Sequence, residues 1–386
     1  MALETCTRWV VPALVMAALS ATAAHAAGPP TLRCGVLIDG RAAVPRRDVL
    51  ITVADGRIVT VAPAAAGDAS QIDRSADTCL PGLIDAHVHL AIGGPVRANA
   101  LADLRAGFTT VADQGALTHR LLVLRDSINS GHIEGPRVLA AGIWVGAKGG
   151  VCEFSGIGIA GGAEAFVQRV QQNIAAGANL TKVCLSSWPA ASYASPDGVE
   201  IPRDVLRAIV EASHAARRPV TAHAISRGAA RAALDAGVDG LVHAAYVDAS
   251  LAAAMRARGM WMSPTIASLT AGDTSAAARA LTAAVRVAHD AGVSLVFGTD
   301  GGVLPHGRGI DEMDALVSSG LTPLEALQAA TINAAKALAI ADSVGHIAVG
   351  MSADFVAVRG DPSGDVGALR SVVLVVSRGR VAVGPP

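Results

Sequence analysis

Lysine is nearly missing from this sequence. The 386 residues carry 31 basic side chains, yet only Lys148, Lys182 and Lys336 are lysines. Arginine serves wherever a surface positive charge is needed, so each lysine has to be accounted for. Aromatic residues are also scarce, at 3%. Hydrophobic content still reaches 52%, much of it alanine and valine, which is enough to build a large core. The net charge is −1 and no basic run occurs, which excludes nucleic acid as a partner. No GxGxxG follows the first strand of the central region, which argues against dinucleotide binding. Cysteines are few and widely spaced, with no zinc-finger pattern. Of Cys34, Cys79, Cys152 and Cys184, the pair Cys34 and Cys79 is placed to bridge, but the expectation is buried free thiols.

Long apolar runs are confined to the N-terminus. One Arg, Arg8, precedes an apolar stretch from Val10 to Leu19, and small residues then end in Ala24-His25-Ala26. That is the pattern of a secretory signal peptide over residues 1–27, with cleavage near Ala26 or Ala27. The stretch is short for a membrane span and contains Pro12. The mature chain is therefore expected to be exported, periplasmic or secreted, with no membrane partner after cleavage. Nothing in the sequence speaks to oligomeric state.

What remains is an α/β pattern. Both ends read as short strands, and Asp55-Gly56 between two β-rich runs signals a hairpin. Residues 28–80 and 346–386 are expected to pair as one composite β-sandwich domain. Between them, residues 81–345 alternate apolar strands with alanine-rich helices. The candidate strands are 83–90, 108–114, 137–145, 180–187, 218–225, 240–247, 260–267 and 293–299. Several helices stop at a glycine just before the next strand. Eight such units in series predict a (β/α)8 TIM barrel, with a doubly wound open sheet as the alternative.

Barrel chemistry sits at the C-terminal ends of the strands. Strand 1, "PGLIDAHVHL", ends with His87 and His89. Their spacing of two puts both on one side of the strand, together with Asp85. Strand 4 carries Lys182, strand 5 His223, strand 6 His243, and strand 8 ends with Asp300. Neutral imidazoles and a carboxylate suit zinc and similar divalent ions. A lone strand histidine is ordinarily a core residue; four at strand ends with Asp300 are not explained that way. His306, in the loop after strand 8, is a substrate-contact candidate, although a loop histidine is exposed by default. His119, His132, His214, His289 and His346 are given no role. Lys182 sits centrally in an apolar strand. Burial there lowers a lysine's pKa, leaving an amine that can act as a base, form a Schiff base or react with carbon dioxide to a carbamate.

"PGLIDAHVHL", Lys182 in "TKV", "TAHA", "LVHA" and "FGTDGG", in this order, resemble the amidohydrolase superfamily of metal-dependent hydrolases. The resemblance runs from about Thr31 to the C-terminus. It is nearest the imidazolonepropionase-like and Xaa-Pro dipeptidase-like branch, which also holds ochratoxin-hydrolysing enzymes. It implies that His87, His89 and Asp300 hold one metal and that His223 and His243 hold a second. It also implies that Lys182 is N-carboxylated and bridges both ions, which are zinc by ligand type. Asp300 would be the catalytic base and then acid, and water activated between the ions would attack the substrate. One departure is visible: the usual Glu-His-Gly of the sixth strand is Val242-His243-Ala244 here. Asp113 matches a recurrent aspartate of the family and is given no ligand role.

The expected reaction is hydrolysis of a carbon–nitrogen bond in a small amide, N-acyl amino acid, dipeptide or cyclic amide. The alternatives are a mononuclear cyclic-amide hydrolase, an ester or lactone hydrolase on the same scaffold, and a metal-free binding protein. Specificity is expected to lie in loops such as the glycine-rich 146–162. Lys148 and Arg308 read as solvated surface charges.

Overall fold

The computed structural model describes residues 31–65, 67–68, 70–270 and 275–384. The signal-peptide expectation therefore lies outside the described residues.

The two chain ends meet in one sheet. Four strands come from the N-terminal side: β1 (Thr31–Leu37), β2 (Arg46–Ala54), β3 (Arg57–Pro63) and β4 (Ile72–Pro81). The hairpin joining β2 to β3 turns through Asp55 and Gly56, both at positive φ (49° and 72°). That is the backbone twist a two-residue hairpin needs, and it is why Asp-Gly stands there. The central strands are β5 (Leu83–Val88), β6 (Phe108–Asp113), β7 (Arg137–Ala140), β8 (Thr181–Cys184), β9 (Val220–Ala224), β10 (Gly240–His243) and β11 (Trp261–Ser263). The chain closes with β12 (Phe355–Val358), β13 (Val372–Ser377) and β14 (Arg380–Val383). Hydrogen bonding orders the outer strands β14-β13-β12-β4-β1-β2-β3, with β12 antiparallel to β4. This is one continuous seven-stranded sheet, where a sandwich of two sheets was expected. Its own core holds Leu37, Ile51, Ile58, Phe355 and Leu374.

The central strands form two parallel sheets, β5-β6-β7 and β11-β10-β9-β8. Every residue of β5, β6, β8, β9, β10 and β11 is buried, as expected of parallel strands covered on both faces. Isolated parallel bridges join the two sheets on both sides. Val145 pairs with Val183 at one junction. At the other, Leu295 pairs with Met262 and Gly301 with Val88. The expected eighth strand is therefore present as bridging backbone rather than as a ladder. Two contacts explain this. Phe297 N–H donates to Ala329 O, outside the sheet. A Cβ on Gly298 would lie 2.8 Å from His87 Cβ, so the segment passes against β5 with no room for a side chain.

Helices cover the parallel strands through single apolar stripes. In the helix Arg203–Ala215, Val205, Leu206, Ile209, Val210 and Ser213 are buried, a spacing that holds one face. Each fully buried aliphatic there contributes on the order of 1.5–3 kcal/mol. The helix Arg227–Ala236 ends at Gly237, whose φ of 81° supplies the left-handed stop read from the sequence. In the helix Gly309–Ser318, Glu312 points inward and accepts N–H bonds from Ile266 (3.0 Å) and Ala267 (2.7 Å). Burial pushes its carboxyl up to about 8 despite those two donors.

The expectation of free thiols is corrected. Cys34 and Cys79 are bonded, with Cα atoms 5.8 Å apart on the adjacent strands β1 and β4. Cys152 and Cys184 are bonded too, with Cα atoms 6.2 Å apart, joining the glycine-rich loop to the end of β8. The Cys34–Cys79 pairing is the one the sequence offered, and parallel strand pairing brings it together; Cys152 meets Cys184 through a folded-back loop.

Two outcomes follow for stability. The chain-entropy effect of a 45-residue loop predicts that C34A/C79A loses about 4 kcal/mol in urea unfolding. Glu312 has its folded-state pKa raised above the unfolded value, so the contribution is full below about pH 4.5 and falls as pH rises toward about 8. Across that window wild-type stability should decline relative to E312Q, by up to about 1.4 kcal/mol per pH unit. Urea midpoints of both proteins at pH 5 and pH 8 check this.

Candidate metal centre

The strand ends bring the sequence-selected side chains into one buried cluster. His87, His89, Lys182, His223, His243 and Asp300 are all at most 8% exposed. Asp300 Oδ1 lies 3.3 Å from His87 Nε2 and 3.3 Å from His89 Nε2. The donor atoms of His87, His89 and Asp300 lie within 4.8 Å of one another. Lys182 Nζ is 3.2 Å from His87 Nε2. The rings of His223 and His243 are 4.5 Å apart, and His243 is 5.2 Å from His87.

Backbone bonds fix the frame. Asp300 N–H donates to His87 O (2.8 Å), and His89 N–H donates to Gly301 O (2.6 Å). The buried Asp85 carboxylate accepts from His87 N–H (3.0 Å), Thr299 N–H (3.1 Å) and the Thr299 hydroxyl (2.6 Å). It thus staples β5 to the eighth segment. Burial raises Asp85 to about 7, against the Thr299 bond. Asp113 accepts from Leu90 N–H (2.8 Å) and Gly115 N–H (3.0 Å), and burial raises it to about 6. The turn it holds presents Gly115 O to His89 Nδ1 at 3.2 Å. His243 Nδ1 is 2.7 Å from the Thr265 hydroxyl, which leaves Nε2 as that ring's other donor atom.

The electrostatics favour unprotonated bases. Burial lowers Lys182 to about 7, opposed by Asp300 and Asp113. Burial, reinforced by Lys182, lowers His223 to about 3 and His87 well below the usual imidazole range. His243 is held low by burial and by His223. Burial pushes Asp300 up, but His87, His89 and His243 around it outweigh that and keep the carboxyl ionised.

This donor set fits a cation. A carbonyl only accepts, so His89 Nδ1 carries the proton in its bond to Gly115 O. The other nitrogen, Nε2, then meets the anionic Asp300 oxygen at 3.3 Å with a lone pair, unless a second proton or a cation lies between them. Buried ring nitrogens of His87 (Nδ1) and His223 (Nε2) have no hydrogen-bond partner. Orphaned buried polar atoms are uncommon and call for a partner, which an ion or a water can supply.

His306 is placed differently from the expectation of an exposed loop residue. Its side chain is buried, with Nδ1 2.8 Å from Asp103 Oδ2, and Asp103 also accepts Gly307 N–H at 2.9 Å. Burial opposes protonation of His306, and Asp103 outweighs it, so the pKa is raised. It braces the loop after the eighth segment and is not among the clustered donors.

Three features were not found from sequence. Thr265 orients His243 from a φ of 51°, and His243, Ala244 and Asp300 also have positive φ (74°, 47° and 57°). Non-glycine residues pay about 1 kcal/mol or more for this, and such strain gathers at functional sites. Trp144 lies 5.5 Å from His89, and Trp188 lies 5.5 Å from His223, so each flank of the cluster has an indole wall. The four tryptophans of a chain poor in aromatics were the available signal for these walls.

Known proteins share this fold over most of the chain. The chain is 34% identical over 193 residues to uncharacterized proteins of Mycobacterium tuberculosis and Mycobacterium bovis, covering 46% of this chain and 51% of theirs. It thus spans about half the length of these relatives. It is 26% identical to an ochratoxinase of Aspergillus niger, over 91% of this chain and 86% of that protein. Among solved structures, a Xaa-Pro dipeptidase with bound methionine in its active site superposes with a TM-score of 0.84 at 26% identity, covering 92% of this chain and all of the other. A putative prolidase from Bifidobacterium longum gives 0.82 at 28% identity, covering 93% and 96%. A profile described as the amidohydrolase family matches residues 78–382, from the end of β4 to within β14. The chain belongs to the amidohydrolase family.

Proposed function

We propose that this chain is an exported, metal-dependent hydrolase of a carbon–nitrogen bond in a small amide or dipeptide, and that its two bridged parallel sheets act as one (β/α)8 barrel. The observation that carries the reading is Lys182, a buried amine 3.2 Å from His87 Nε2 in a cluster of bases. His87, His89 and Asp300 would hold one divalent ion, and His223 and His243 a second, zinc being the ion that suits these donors. Lys182 would join the two as a carbamate. Its neutral Nζ attacks the carbon of carbon dioxide, a C–N bond forms, one C=O pair moves to oxygen, and the nitrogen gives a proton to solvent. A pKa near 7 makes the neutral amine available at physiological pH.

When bound, the ions supply Lewis acidity, lowering the pKa of water and polarising a carbonyl. The chain's own residues do the rest. Asp300, kept ionised, takes the proton of the attacking water and delivers it to the leaving nitrogen, so that one carboxylate serves as base and then acid. Asp85 and Asp113 hold the β5 end in register for that exchange. The Xaa-Pro dipeptidase and ochratoxinase likenesses support amide-type substrates. Two disulfides support an oxidising compartment, in keeping with the signal-like residues 1–27.

A mononuclear reading is favoured by one observation: among the described residues, His87, His89 and Asp300 are the one group of three histidine, cysteine or carboxylate side chains whose donor atoms lie within 4.8 Å of one another. Imidazolonepropionase of Cereibacter sphaeroides, 29% identical over 84% of this chain and 91% of that protein, supports a cyclic amide in that case. Metal analysis separates the two. The purified protein, reconstituted with zinc and bicarbonate, should bind two equivalents. K182A should bind one and lose at least about a hundredfold in turnover of Xaa-Pro dipeptides or N-acyl amino acids. One equivalent in the wild type, with unchanged turnover in K182A, would establish the mononuclear site.

T265V tests the hydroxyl behind His243. It should weaken zinc retention about 10- to 100-fold, read by competition with a chromogenic chelator. T265S, which keeps the oxygen, should restore it.

A further inference from the structure

The rim of the centre is apolar. Among the described residues, ten large hydrophobic side chains are exposed, and five of them follow the ends of the central strands: Ile92, Leu117, Phe154, Trp188 and Val303. They are 36–50% exposed and come from the segments after β5, β6, β7, β8 and the eighth segment. Exposed aliphatics scattered singly need no explanation, but a set gathered round one mouth does.

Three of these line one cavity of about 460 Å³ together with Val96, Leu121 and Trp144. Trp144 stands between the cavity and the metal centre: its ring is 5.5 Å from His89 on one side and 5.1 Å from Phe154 on the other. No acidic side chain lines it, and Arg120 is its one charged residue.

The wall is built rather than loose. Cys152, two residues from Phe154, is bonded to Cys184 on the strand that carries Lys182. Glu200 accepts Val151 N–H at 2.9 Å. Arg169 donates to Trp144 O and Ile157 O, both at 3.2 Å. A Cβ on Gly115 would fall 2.4 Å from Trp144 Nε1, so the indole is packed hard against the turn after β6. A glycine-rich loop fixed at three points presents Trp144 and Phe154 in one arrangement.

We propose that this cavity is the specificity pocket of the hydrolase, and that it takes an uncharged aliphatic or aromatic group attached to one side of the scissile amide. The inference rests on the hydrolase reading for what lies next to the pocket, and on the lining alone for what fills it. Ile92, Leu117 and Phe154 are the specificity residues. The Cys152–Cys184 bond positions the last of them.

Binding to the metal-depleted protein keeps the two readings apart. N-methyl-, N-butyl-, N-hexyl- and N-phenylacetamide would be titrated calorimetrically into wild type, L117D and F154A, along with an acetamide ending in a carboxylate. Leu117 is 44% exposed, so L117D should fold, and its circular dichroism would be compared with wild type. Affinity should rise up to about fourfold per methylene in the wild type. The rise should flatten in L117D, weaken in F154A, and be absent for the carboxylate compound. Equal affinities across the alkyl series, an unchanged slope in L117D, or tighter binding of the carboxylate compound through Arg120 would overturn the pocket. If the slope appears but the zinc-loaded protein hydrolyses none of these amides, nor Xaa-Pro dipeptides or N-acyl amino acids, the pocket stands and the hydrolase reading falls. If amides are hydrolysed at rates indifferent to chain length, the hydrolase reading stands and the pocket falls.

Discussion

One oxygen faces two imidazole nitrogens at the centre of this molecule. Asp300 Oδ1 is 3.3 Å from both His87 Nε2 and His89 Nε2. The Gly115 carbonyl has already claimed the Nδ1 proton of His89. Lone pairs do not face one another inside a protein without something positive between them, and bare burial of such a group costs several kcal/mol. Much of the surrounding structure can be read as keeping that arrangement in place. Asp85 and Thr299 tie β5 to the eighth segment. Asp113 shapes the turn that offers Gly115. Gly298 lets the segment ending in Asp300 pass within van der Waals reach of His87.

The same constraint explains why the lysine differs from the surface arginines. An arginine at position 182 could not shed its proton, and would add a fixed charge to a desolvated set of bases. Lysine yields its charge to burial, and its neutral form is both compatible with its neighbours and chemically reactive. Scarcity of lysine elsewhere and retention of one here therefore have a common physical sense.

Legibility in the sequence followed the range of the interactions. His87 and His89 were readable because a strand's period of two is local, and Lys182 because an isolated charge in an apolar run stands out. His223, His243 and Asp300 followed from their place at strand ends, a rule of parallel α/β architecture. Partners that depend on packing were not readable. Thr265 meets His243 only because β10 and β11 lie side by side and the chain then turns through positive φ. Glu312 reaches Ile266 and Ala267 across 46 and 45 residues. Cys152 finds Cys184 because a loop folds back over β8, which glycine content suggested only as freedom, not as direction. His306 looked exposed because loops are, but an aspartate from the helix Val96–Arg105 draws it inward. The eighth strand, expected over 293–299, appears only as single bridges at Leu295 and Gly301, where Gly298 has no room for a side chain and the π-helix Ala329–Asn333 takes the Phe297 N–H.

The seven-stranded sheet has a consequence for how the chain is made. β4 runs from Pro81 through Gly82 into β5, which bears His87 and ends just before His89, and its neighbour on the side away from β1 is β12, formed by residues 355–358. During synthesis, β4 emerges with β1 on one side and an open hydrogen-bonding edge on the other. That edge stays open while more than 250 residues are added, at some 5–20 residues per second. The anchor of His87 and His89 is thus completed only once residues 355–358 are available to pair with β4. Until then the nascent chain carries an unpaired β edge beside a half-built centre, which places its greatest exposure to mispairing before the enzyme exists as a whole.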